Sequence, residues 1–142
     1  MCVLRAAGKH FDVDACMMKS KLQPCLVYHK GEAKNPKSTK KIYKWPDSGI
    51  NVVVSNASFE NFRRQIRDAI QFLIKNKTEI RKLVKFEGVD GVELDFPTSY
   101  NPEQFIQDYF FPSELIALAS QLGLELRLSE YPESNEKKKS RT

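Results

Sequence analysis

A chain of 142 residues is one domain's worth, long enough to bury a core and too short for two. Hydrophobic residues at 41% and charged residues at 29% are ordinary for a globular protein, and no run approaches the roughly 18 uninterrupted apolar residues of a membrane span. With Arg5 and Lys9 standing where a signal peptide would be apolar, the expectation is a cytoplasmic protein with no membrane partner and three reduced thiols, Cys2, Cys16 and Cys25.

In chain order, residues 2–7 read as a first strand closed by Gly8, and Asp12 or Asp14 caps a short helix over 14–19 that stops ahead of Gln23-Pro24. A second strand at 25–29 leads into a long stretch without apolar period, expected to be a mobile surface loop anchored only by Ile42, Tyr43 and Trp45. The strand at 50–54 contains Val52-Val53-Val54, a run expected where both faces of a sheet are covered.

The organising element is a long amphipathic helix over 58–76. Phe59, Phe62, Ile66, Ala69, Ile70, Leu73 and Ile74 recur at steps of three and four, with Ser58 as the expected N-cap. Asn76-Lys77-Thr78 interrupts it, and Ile80, Leu83 and Val84 mark a further helix over 78–85. Clean alternation puts a strand at 92–96, with Val92, Leu94 and Phe96 inward, Glu93 and Asp95 outward, and Pro97 as its stop. An aromatic irregular segment follows, in which at least two of Phe105, Phe110 and Phe111 are expected to roof the core. Pro112 opens a helix over 112–122 that Gly123 ends, and a last strand covers 124–128. The fold class is therefore α+β: a mixed, mainly antiparallel five-stranded sheet under the long helix, one domain over 1–131, with a disordered charged tail at 132–142.

Charge is unevenly placed. The residues from Lys30 to Lys44 hold six lysines and one glutamate, while those from Phe86 to Tyr131 hold nine acidic residues and one basic, Arg127. Such asymmetry speaks of partners. The acidic third, with its aromatics, suits a basic protein partner on Glu93, Asp95, Tyr100, Asp108 and Tyr109. The lysine-rich loop offers the other reading, nucleic acid held by Lys34, Lys37, Lys40, Lys41 and Trp45 with Arg63, Arg64 and Arg67.

Catalytic and cofactor signals are thin. Glu93 and Asp95, with Glu125 opposite, supply a carboxylate pair for a small hydrolase, and no nucleophile elbow, P-loop or dinucleotide fingerprint is present. Cys2, His10, Cys16, Cys25 and His29 gather in the first 29 residues. Cys25 and His29 on one strand would stand roughly 13 Å apart, too far to share a metal. No cofactor or metal is expected.

The opening strand to Gly8 with Phe11-Asp12-Val13-Asp14, the Tyr28-His29-Lys30-Gly31-Glu32 turn, Ser48-Gly49-Ile50, and the close from Phe111-Pro112-Ser113-Glu114-Leu115 to Tyr131-Pro132 together resemble small uncharacterised bacterial α+β proteins of the domain-of-unknown-function type. The resemblance implies a compact bacterial protein with no activity or site residues to carry over. By analogy with acidic-faced immunity proteins, the basic partner is a toxin domain. The reading is a non-enzymatic, immunity-type binding protein.

Overall fold

The computed structural model describes residues 1–133; the segment 134–142, most of the expected charged tail, lies outside the described residues. The elements run β1 (Cys2–Gly8), α1 (Val13–Lys19), β2 (Leu26–Tyr28), β3 (Ser48–Ser55), α2 (Phe62–Lys75), α3 (Lys77–Lys85), β4 (Gly91–Tyr100), α4 (Ser113–Leu122) and β5 (Glu125–Pro132). The sheet order is β2-β3-β1-β4-β5. Every pairing is antiparallel except β4 with β5, because α4 carries the chain back across the sheet before β5 is laid down. The architecture is the expected mixed α+β sheet.

Register fixes which side chains are buried. Leu4 lies between Val52 and Leu94, and Ala6 between Ile50 and Val92, so these strand residues share one face. All four helices add to the same buried cluster: Val13 and Cys16 from α1, Ile66, Ala69 and Leu73 from α2, Ile80 and Leu83 from α3, Leu115, Leu118 and Leu122 from α4. The valine run of β3 is therefore covered by helices on one side only. Val52 and Val54 are buried there, and Val53 stays half-exposed beside Val3 on the other face.

The long helix is shorter than its apolar stripe. It begins at Phe62, and Asn61 rather than Ser58 is the N-cap, its side chain accepting from the Arg64 amide at 3.2 Å. Ser58 instead opens a turn in which its carbonyl accepts from the Asn61 amide at 3.0 Å and from Gln65 Nε2 at 3.1 Å. Phe59 leaves the stripe to stack on Tyr131, with ring centroids 5.3 Å apart. Asn76 then joins α2 to α3, donating to the Phe72 carbonyl and accepting from the Ile80 amide.

Pro97 does not stop β4, which runs on to Tyr100. The pairing with β1 ends at Asp95, so beyond that point β4 is an edge on one side, where a sheet tolerates proline. The Pro97 carbonyl is held from the helix layer by Gln65 Nε2 at 2.9 Å. Likewise β5 outruns its expected end at 128 and pairs through Pro132 with Tyr100. Gly123, at φ 75°, ends α4 in the left-handed conformation that side chains resist.

The lysine-rich loop is an ordered hairpin-like excursion. Gly31 and Trp45, Trp45 and Glu32, and Lys34 and Tyr43 are joined by backbone hydrogen bonds of 2.7–2.9 Å, with a bridge between Ala33 and Lys44. Asn35 closes its tip through Tyr43 N and the Lys41 carbonyl, both at 3.0 Å.

Candidate docking surface

Between β4 and α4 the chain makes a loop over residues 101–112. Asn101-Pro102 and Pro112 bracket it against continued strand or early helix, and one buried-side amide holds its shape. Gln107 Nε2 donates to the Ser99 carbonyl at 2.7 Å and to Tyr109 Oη at 2.8 Å, while Gln107 Oε1 accepts from the Asn101 amide at 2.8 Å. Asn101 Oδ1 in turn accepts from the Glu103 amide at 3.0 Å. With the polar side chain folded in, its apolar neighbours are turned out.

The result inverts the expected roof. Only Phe111 of the three phenylalanines packs inward, edge-on to Phe62 and Phe96 with centroids 5.3 and 5.6 Å away. Phe105 is 99% exposed, Phe110 80% and Ile106 71%. Tyr109 is half-buried, its ring edge-on to Phe62 at 5.1 Å, and Tyr100 stands exposed at the end of β4. Between this loop and the start of α2 lies a groove of about 1120 Å³, floored by Phe59, Phe62 and Ile66 and rimmed by Phe105, Ile106 and Phe110.

The loop's charge is of one sign. Residues 101–114 carry Glu103, Asp108 and Glu114 and no lysine or arginine. Among the described residues lining the groove Arg63 is the sole cation, set against Glu60, Asp108 and Glu133.

Of the residues chosen from the sequence for a basic partner, Asp108 and Tyr109 line this groove, and Tyr100 adjoins it through Ser99 and Asn101. Glu93 and Asp95 do not join them. They point to the helix-free face of the sheet, as their alternation requires, but not to a free acidic surface. Asp95 is 4% exposed, bound by Arg5 at 3.0 Å and by Ser129 Oγ at 2.6 Å. Glu93 pairs with Arg127 at 2.9 Å, which holds the Arg127 guanidinium still further above its ordinary range. Each carboxylate of the expected acid–base pair thus faces its own guanidinium, although Glu93 and Glu125 are neighbours in register as expected. Nothing in the spacing of the sequence picks out Arg5 as the partner; β1 reaches Asp95 only because the sheet sets the two strands side by side.

The nucleic-acid set is divided. The loop lysines leave from the first residue of β3 and the helix arginines follow its last, ends that are about 23 Å apart along an eight-residue strand. Trp45 is occupied as well: the Tyr28 ring stacks on it with centroids 3.9 Å apart, and Lys34 Nζ lies over it at 4.8 Å. Lys41 covers Tyr43 in the same way at 5.5 Å. Tyr28 in turn lies flat on the sheet because residue 49 is glycine; a Cβ there would overlap Tyr28 Oη and the Ala6 carbonyl.

The soft donors also go separate ways. All three cysteines are free thiols, Cys2 and Cys16 buried and Cys25 exposed. Burial pushes the Cys2 thiol up to about 12, with the Asp95 charge adding to it. His29 sits between two carboxylates, Nε2 at 3.0 Å from Asp14 and Nδ1 at 3.1 Å from Glu32, and the Asp14 hydrogen bond above all raises its pKa. Among the described residues no three or more His, Cys, Asp or Glu side chains are grouped to hold a metal ion, and no helix is long and apolar enough to cross a membrane. No family model, curated protein or solved structure matches the chain.

Proposed function

We propose that this chain is a non-enzymatic binding protein whose 101–112 loop and adjoining groove dock a basic partner protein. The observation that carries the reading is the exposure of Phe105, Ile106 and Phe110 together on a loop pinned from within by Gln107. Exposed phenylalanines in a cluster cost solvation and are kept where a partner covers them, each burial contributing about 2 kcal/mol. Carboxylates at 103, 108 and 114 draw a cationic partner in, and the rings supply its residence time. Preformed shape lowers the ordering cost, since the loop's backbone is already held by Gln107 and Asn101.

The immunity-type reading is the case in which that basic partner is a toxin domain. Peptides selected from a random displayed library against the intact chain are expected to combine Lys or Arg with apolar residues. They should lose at least tenfold in affinity when F105A and F110A are introduced together. Neutral or acidic selected peptides, or equal binding by the double variant, would overturn the reading.

A further inference from the structure

We propose that the outward face of α2 and α3 is a second binding surface, meeting the groove only at Arg63, one for the phosphate backbone of double-stranded nucleic acid. The two helices together hold eight basic residues and two acidic ones. Both acids are spent inside the molecule. Asp68 accepts from Ser55 Oγ at 2.7 Å and pairs with Arg64 at 3.6 Å. Glu79 is buried and takes the Lys21 amide at 2.9 Å and Lys82 Nζ at 3.1 Å. The six remaining cations, Arg63, Arg67, Lys75, Lys77, Arg81 and Lys85, have no carboxylate in ion-pair reach among the described residues.

Their placement follows from the helical period. In α2 the buried positions Gln65, Ile66, Ala69 and Leu73 take one side, which leaves Arg63, Arg67 and Lys75 on the other. In α3 Glu79, Ile80 and Leu83 are buried, which leaves Lys77, Arg81 and Lys85 outward. Both helices pack on the same face of the sheet, so the two cationic sides look outward from one layer.

The chemistry of that layer selects among anionic partners. Arg63 to Lys75 spans about 18 Å of helix, too far for a mononucleotide and a length over which a duplex presents about ten phosphates. Single strands call for stacking rings, but Phe62 and Phe72 are packed against the core. A lipid surface calls for an apolar face to insert, and the apolar sides of both helices are used on the sheet. An acidic protein would leave an apolar centre to its interface, and here Ile74 is the lone exposed large apolar residue of the two helices. Charge spread along a helix layer without rings or an apolar centre fits a duplex backbone, read without regard to sequence.

Fluorescence anisotropy of a labelled 20-base-pair duplex with the full chain tests this. Binding is expected to weaken by about two orders of magnitude between 50 and 200 mM salt, as about four phosphate contacts require. R67E with R81E should lower affinity at least tenfold, with circular dichroism unchanged. K37E with K40E, an equal change of net charge on the lysine-rich loop, should leave it within about threefold. Absence of salt-dependent binding, equal loss in both double variants, or a preference for polyglutamate over the duplex would each overturn the assignment.

Discussion

The two long irregular segments, residues 29–47 and 101–112, both carry aromatic rings, and the structure treats them in opposite ways. In the first, Trp45 is half-buried under Tyr28 and Lys34, while Tyr43 stays exposed with Lys41 over one face. In the second, Phe105 and Phe110 stand in solvent. The difference lies in their neighbours. A ring face is electron-rich, so an ammonium group from the same loop can cover it, whereas the carboxylates of 101–114 cannot. At Trp45 the stacking composition is thus partly self-satisfied by a lysine, whereas Phe105 and Phe110 have no such cover among the described residues. The same contrast separates two aspartates, Asp95 held by Arg5 and Asp108 exposed.

The largest expected effect tests the inward and outward phenylalanines of one loop. F111A removes the ring that meets Phe62 and Phe96 and should cost about 2–3 kcal/mol in urea unfolding, while F105A and F110A should each stay within about 0.5 kcal/mol. Equal losses would erase the distinction. Next, D95N leaves Arg5 facing a neutral amide in a nearly buried site and should cost about 2 kcal/mol; D108N should leave stability unchanged. In the first loop, W45A should cost about 1 kcal/mol through the lost stack on Tyr28, and a cost near zero would mean the ring is free after all.

The smallest effect concerns the tether between that loop and α1. Two carboxylates on opposite nitrogens favour the imidazolium of His29, so its folded pKa lies above the ordinary value of 6.5. The stabilisation is therefore fully present below that value and fades as pH rises through the raised one. An NMR titration of His29 should show the raised midpoint, and D14N should bring it down further than E32Q, since the Asp14 hydrogen bond is the larger cause. A midpoint at the ordinary value would mean that the clasp is not formed.

Much of the fold was legible in the residues themselves. Alternation named Val92, Leu94 and Phe96 as core, a 3.6 period named Ile66, Ala69 and Leu73, and Gly123 marked the end of α4; each of these signals is local, set by backbone geometry over a few residues. Helix beginnings were less so, because Ser58 and Asn61 are both good caps; the helix takes Asn61, and Phe59 ahead of it stacks on Tyr131. The outward turn of Phe105 and Phe110 was hidden too, since a phenylalanine reads as core until Gln107 is seen to occupy the inward position.

What the amino-acid sequence determined alone is the set of amphipathic elements and the uneven charge along the chain. Only the tertiary structure decided which charges cancel. Sheet order set Arg5 against Asp95 and Arg127 against Glu93, and gave the carboxylates of the 101–114 segment no such partner among the described residues. The reason is that a period is a property of neighbouring residues, while an ion pair depends on which distant strands the fold lays side by side.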